Sequence, residues 1–311
     1  MPQARARIAT EFRNPCCSNS QCTQCPVNAK FTVVNDMQTL LKDPRVELRT
    51  DSEVIGVVAA GGRAEGVEVR TRNGEVYEAR GETVAIGANG IFNPFLLLKS
   101  GITDGPVGRG LNEQIGVYLT LDLDGVDDGD GSAHVTGVGF TEMHGDFRRT
   151  AAGGFFETRN LPKIRPERGR WRQRVDITFL LEDFRDDRNY VDILTENQAK
   201  PHAKFEDFSD YAYRGVDRIV ERAPQIFAGL PIEDLRVSTR QSPGHAQLQG
   251  TVVKGRDSTK SVVDPDLIHH RIRNLLVLGA SAFPTGGWAN PTLTLAALSL
   301  RAADKYNGGA A

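Results

Sequence analysis

Three stretches of this sequence gather residue types that do chemistry. The first, PCCSNSQCTQCP, holds all four cysteines, Cys16, Cys17, Cys22 and Cys25, within ten residues. The second, GHAQLQGT, places His245 two residues before Gln247 and ahead of Gly250-Thr251. In an extended chain those two side chains share one side. A histidine accepts a proton near neutral pH, whereas a glutamine amide orients a hydroxyl without deprotonating it. The third runs from Gly279 through Asn290-Pro291-Thr292, small residues followed by helix-start chemistry.

The cysteines admit several readings. Two disulfides would suit a small secreted scaffold, which a chain of 311 residues does not need. Cys22-x-x-Cys25 has the spacing of zinc ligands. Adjacent Cys16 and Cys17 point apart in an extended chain, which fits one small ion poorly. An iron–sulfur cluster offers several iron corners, and Pro26 after the last cysteine suits a cluster loop. Reduced thiols remain the fourth reading.

The elements that must position these residues are legible as patterns. Leu275 to Leu278 reads as a buried strand, and Gly279-Ala280-Ser281 lets another group approach the backbone. Asn290 is expected as N-cap with Pro291 at the first helical position, and Leu293, Ala296, Ala297 and Leu300 predict a packed helix from Thr292 to Asp304. A strand, a loop of small residues and a helix N-terminus together make a seat for an anion or a cofactor. Val84 to Ala88 repeats the strand, and a helix is expected over Asn93 to Lys99 with Pro94 at its first position and Gly101 after its end.

Upstream, Lys30 to Leu41 reads as helix, Val46 to Arg49 and Val54 to Val58 as strands, and Gly66 to Glu78 as a hairpin turning at Asn73-Gly74. The middle of the chain changes character. Val117–Leu123, Val135–Phe140, Gly154–Thr158, Val175–Leu181 and Tyr190–Leu194 read as successive strands of an antiparallel sheet, followed by a helix over Ser209–Phe227. His269-His270 reads as a solvated turn. The fold class is α/β with an α+β middle, divided as 1–114, 115–235 and 236–311.

Composition excludes some functions. A net charge of −2 gives no bulk attraction to nucleic acid, so no nucleic-acid partner is expected. No apolar run approaches the roughly 18 residues of a membrane span, and the basic N-terminus lacks the apolar core of a signal peptide, which leaves the localisation open.

The sequence resembles the glucose–methanol–choline (GMC) oxidoreductases, a flavoprotein family. The resemblance rests on NPTLT followed by RAAD near the end, on Gly250-Thr251 through Ser261-Val262-Val263-Asp264, on VAIGANGIFNPFLLLKSG from Val84 to Gly101, and on Val107-Gly108-Arg109. It implies the C-terminal part of that fold: an FAD-binding domain without its N-terminal dinucleotide motif, plus an antiparallel-sheet substrate domain. The family holds the ADP of FAD on a G-x-G-x-x-G turn. Gly108-Arg109-Gly110 and Gly137-Val138-Gly139 lack the third glycine, so a fragment, or a separate chain supplying the other half, is expected.

The resemblance also implies roles. Gln247 stands where the family usually has its catalytic histidine, which leaves His245 as candidate base. Asn290 matches the paired catalytic position. Val54, Gly279, Ala280, Asn290, Pro291 and Thr292 are implied as flavin contacts. The two adjacent cysteines followed by a third resemble the branch of bacterial glucose, fructose and gluconate dehydrogenases, which implies a [3Fe–4S] cluster on Cys16, Cys17 and Cys22, with Cys25 a neighbour. The expected activity is oxidation of a sugar or alcohol hydroxyl by hydride transfer to FAD, with electrons leaving to a cytochrome c or quinone-linked partner; that branch is often periplasmic or held at the membrane through partners. The alternative is a non-catalytic electron-relay subunit that pairs with a flavin-binding chain.

Overall fold

Alternating side chains build most of the strands, and their pairing divides the chain into two units. The computed structural model describes residues 9–17, 25–128, 135–159, 164–238 and 247–308. In chain order the elements begin with two single-turn helices, α1 (Val33–Asp36) and α2 (Gln38–Leu41). A meander follows, β1 (Ser52–Ala60), β2 (Arg63–Thr71) and β3 (Val76–Arg80), then β4 (Val84–Ile86) and α3 (Asn89–Lys99). Next come β5 (Ile115–Leu123), β6 (Val135–Gly139), β7 (Gly154–Arg159), β8 (Arg174–Leu181), β9 (Tyr190–Leu194) and β10 (Asn197–Lys204). The chain closes with α4 (Asp210–Ile226), β11 (Ile232–Ser238), β12 (Leu275–Val277) and α5 (Thr292–Tyr306).

One unit comprises residues 1–49, 115–181 and 213–242. Its core is a five-stranded antiparallel sheet in the order β11-β5-β8-β7-β6. The period of two sends Val117, Leu119, Leu121, Val175, Ile177 and Phe179 to one buried face. Val216, Ile219 and Ala223 of α4 and Phe227 just past its end are buried. The Phe227 ring lies 5.1 Å from Phe156 and 6.2 Å from Phe179. Truncating Phe179 to alanine would cost about 3–5 kcal/mol. The opposite face is polar: Asp122 accepts hydrogen bonds from Arg174 at 2.6 Å and Arg236 at 2.9 Å, and Thr120 donates to Asp176 at 2.8 Å. The Arg174 hydrogen bond leads the interactions that hold the Asp122 carboxyl well below the usual carboxylate range, against the opposing effect of burial.

The other unit comprises residues 50–114, 182–212 and 243–311. It holds the meander β1-β2-β3, the hairpin β9-β10 and a parallel pair, β12-β4. Leu275, Leu276 and Val277 lie opposite Val84, Ala85 and Ile86. Their core includes Leu97, Val252, Val263, Leu267 and Ala302. Asn274 ties the meander to the pair, donating to the carbonyls of Ala64 at 2.7 Å and Glu82 at 2.8 Å.

Several expectations are corrected. The helix over 30–41 breaks at Met37 into α1 and α2. Val46–Arg49 forms no strand, and Leu48 is 62% exposed with no ladder to join. β9 pairs with β10 rather than extending the five-stranded sheet, while β11 was not foreseen. Leu293 and Leu300 of α5 are 71% and 70% exposed, so the stripe expected to pack is open. The N-cap of α5 is Pro291, whose carbonyl accepts from Leu295 N–H at 2.9 Å, and not Asn290.

His269, expected in a solvated turn, is fully buried. Its Nδ1 accepts the N–H groups of Ile272 at 3.1 Å and Arg271 at 3.3 Å, so the proton sits on Nε2. Burial lowers its pKa, and nearby His270, Arg271 and Arg273 add to that, against the pull of Asp104. The unfolded chain then binds a proton more readily than the native one, so stability is full above the unfolded value of about 6.5 and falls as pH drops through it. Urea unfolding between pH 7.5 and pH 5 should show this decline, and His269→Asn, which keeps an acceptor without the titration, should flatten it.

Candidate active site

Two βα turns lie side by side because β4 and β12 are parallel neighbours: β4 runs into α3 and β12 into α5. In open α/β sheets ligands bind outside the carboxyl ends of such strands. A cleft of about 460 Å³ opens there, lined by Gly87, Asn89, Ile91 and Phe92 from the first turn and by Gly279, Ala280, Pro291, Thr292 and Leu295 from the second. Gln247 and Leu248 form its remaining wall.

The local conformations have physical causes. Gly279 adopts φ +102°, which a side chain would disfavour, and nothing lies within 4 Å of the place its Cβ would occupy. Asn89 sits at φ +70°, and its Oδ1 accepts the N–H groups of Ile91 at 2.9 Å and Phe92 at 3.2 Å. That capping starts α3 four residues earlier than Pro94 suggested. Pro94 consequently lies inside the helix, where it has no N–H to offer the carbonyl of Gly90. Thr251 supplies the missing donor: its hydroxyl reaches the Gly90 carbonyl at 2.8 Å. Thr251 is fully buried and held at φ +80°, a strained conformation for a β-branched residue.

A buried strand-like segment joins the parts. Asn112 exchanges two backbone hydrogen bonds with Gln249, at 2.9 and 2.8 Å. Glu113 accepts the Gln247 N–H at 2.8 Å. Gln114 donates to the carbonyls of Gly287 at 2.9 Å and Trp288 at 2.7 Å. Beyond Gln249, the N–H groups of Gly250 and Val252 donate to Ala280 at 3.1 Å and Ser281 at 2.9 Å.

The structure thus brings Gln247, Gly279, Ala280, Pro291 and Thr292 into one cleft. Asn290 is half-buried and directly precedes the N-cap of α5. Val54 lies on β1 and is not among the cleft's lining residues. His245 and Cys22 lie outside the described residues. Cys16 is half-buried and Cys17 exposed, and no group of three metal-capable side chains occurs among the described residues. Burial raises the Cys25 thiol, but hydrogen bonds from the backbone at Ala29, Lys30 and Val27 outweigh it and leave the thiol below its ordinary value. Gly87, Asn89, Phe92, Glu113 and Gln114 escaped the sequence reading; the repeated strand-to-helix pattern at Val84 was the signal for the first three.

The cleft can hold a flat, largely apolar group against small residues. α5 receives no side-chain cap, so the N–H groups of its first turn carry partial positive charge toward Pro291 and Thr292 at the wall. An electron-rich edge of a ligand is stabilised there.

The pairing of Thr251 with Pro94 makes a specific prediction. Thr251→Val keeps the shape but leaves the Gly90 carbonyl without its donor, at a cost of about 1–3 kcal/mol in urea unfolding. In a Pro94→Ala background the restored N–H should remove most of that cost. An undiminished cost there would contradict the pairing.

Comparison with known proteins bears on the family and the fold. Residues 185–299 match the sequence model of GMC oxidoreductase. The large subunit of fructose dehydrogenase from Gluconobacter japonicus is 25% identical, over 98% of this chain and 62% of that one. Among solved structures, pyridoxine 4-oxidase from Mesorbium loti superposes with a TM-score of 0.66 at 17% identity, covering 90% of this chain and 63% of that one. A formate oxidase from Aspergillus oryzae, studied for the modification of its FAD, gives 0.63 at 15% identity over 82% and 60%. The chain spans about three-fifths of the length of each of these proteins. Residues 185–299 are therefore matched by the GMC oxidoreductase C-terminal model, and the described residues share the fold of these solved structures.

Proposed function

We propose that this chain is the substrate-facing part of an FAD-dependent dehydrogenase that oxidises a CH–OH group of a sugar or alcohol. The observation that carries the reading is the cleft itself, where an uncapped helix N-terminus, small floor residues and Gln247 converge at the ends of two parallel strands. Its residues fit a flavin ring: Gly87 and Gly279 leave open space where a Cβ would stand, and Ile91, Phe92, Leu248 and Leu295 offer apolar walls. When bound, FAD supplies the hydride acceptor. The first turn of α5, from Pro291 and Thr292, stabilises negative charge at the ring's edge. His245 takes the proton of the substrate hydroxyl, Gln247 orients that hydroxyl, and Asn290 assists from the opposite segment. The likeness to the fructose dehydrogenase large subunit supports a sugar substrate and a partner subunit; a cytochrome c or quinone-linked electron acceptor is our proposal for that partner.

The nucleotide half of FAD calls for a G-x-G-x-x-G turn, which these residues lack. Two open surfaces support docking of a polypeptide that carries it. Ala85 of the parallel pair is exposed, and α5 exposes Leu293 and Leu300, although parallel sheets are normally covered on both faces. Among the described residues the cysteines do not by themselves make a cluster site. A [3Fe–4S] cluster on Cys16, Cys17 and Cys22 stays a proposal drawn from the family resemblance of the cysteine pattern.

The test is anaerobic flavin reduction by a panel of sugars and alcohols, with the dinucleotide-binding polypeptide supplied. His245→Ala should slow reduction by roughly 10²–10⁴-fold, the usual worth of a general base, and Gln247→Ala by less. Bound flavin that no substrate reduces would overturn the enzyme reading in favour of a relay subunit.

A further inference from the structure

Asn112, Glu113 and Gln114 are three consecutive polar residues with exposures of only 3%, 3% and 0%. Burying such a run is costly unless each group is engaged. Its members reach the 247–249 segment, Phe184 and the 286–288 segment. Asn112 pairs its backbone with Gln249 and donates from its side chain to the Phe184 carbonyl at 3.0 Å. Gly286 packs against the same side chain so closely that an added Cβ would stand 1.9 Å from Asn112 Oδ1. Glu113 and Gln114 are adjacent in extended chain and so point to opposite sides. One reaches Gln247, the other Gly287 and Trp288.

We propose that Glu113 and Gln114 are positioning residues that set the spacing between Gln247 and the Trp288–Asn290 segment. The proposal rests on the reading above, in which those two segments flank the substrate hydroxyl. Gln114 is the sharper half. Both hydrogens of its amide go to consecutive carbonyls two and three residues ahead of Asn290, which fixes the orientation of those peptide planes. Its Oε1 accepts no hydrogen bond among the described residues, so the donors alone set the amide's orientation. A carboxylate of the same shape would turn an acceptor toward two carbonyls. Glu113 acts through a main-chain N–H, which makes any acceptor of equal length a substitute.

The test uses Trp288 as reporter. The sequence has two tryptophans, and Trp171→Phe leaves Trp288 alone. In the full chain with that change, Gln114→Met keeps volume but removes both donors; Trp288 emission should shift to the red and its quenching by acrylamide should rise. Gln114→Glu should do the same at neutral pH and revert toward the parent as pH falls and the carboxyl gains a proton, while the parent shows no such reversal. In flavin-loaded enzyme, Gln114→Met and Glu113→Ala should each lower kcat about tenfold or more with KM little changed, because misplacement acts on the reacting geometry. Glu113→Gln should recover most of the Glu113→Ala loss. Unchanged Trp288 emission in both Gln114 variants would overturn the clamp whether or not the flavin reading holds. A shift in emission with kcat unaffected would reduce the segment to a structural brace and overturn its positioning role.

Discussion

The two backbone hydrogen bonds between Asn112 and Gln249 are the constraint on which the cleft depends. They fix where residues 247–249 run. One residue on, Gly250 adopts φ +78° with its Cα so close to Gly110 that a Cβ would stand 2.1 Å from that carbonyl oxygen. The chain then passes through the strained Thr251, whose hydroxyl satisfies the carbonyl that Pro94 leaves without a donor. From there Val252 and Lys254 donate to Ser281 at 2.9 Å and Ala282 at 3.0 Å. A single ribbon of hydrogen bonds thus links the start of α3, the 3₁₀ turn after β12 and the segment bearing Gln247. Strain at Thr251 persists because its neighbours on both sides are held.

That ribbon explains how a loop-rich site stays ordered. The parallel pair contributes only three residues from each strand, too few to position a ligand without support. The buried core of Leu97, Val252, Val263, Leu275 and Val277 supplies the rest. The helix α5 enters this arrangement by its N-terminus and by Ala302, while Leu293 and Leu300 face outward. The helix is therefore buried at Pro291 and Ala302 and exposed along Leu293 and Leu300.

Much of this was legible in the residues. The period of two marked β5, β7 and β8, Asn73-Gly74 marked the turn of the meander, and the small residues after Leu278 marked the cleft floor. What escaped depended on distant partners. Pro94 signals a helix start in isolation, but Asn89 caps the helix earlier and Thr251, over 150 residues away, makes the interior proline tolerable. His269 looked solvated because its acceptor role toward Ile272 and Arg271 is invisible in composition. The stripe on α5 predicted a packed face that the structure leaves exposed, because periodicity shows an apolar stripe but names no partner for it. Glu113 and Gln114 drew no attention because buried polar runs have no sequence signature.

Native-state hydrogen exchange tests the central claim, that the 112–114 segment and residues 249–254 form one hydrogen-bonded unit with the floor of the cleft. The amides of Asn112, Gln249, Gly250, Val252 and Lys254 should exchange together, at rates close to those of Leu275 and Val277 in β12. Fast exchange at Gln249 through Lys254 while β12 stays protected would contradict the account, because the cleft's wall would then be free of its floor.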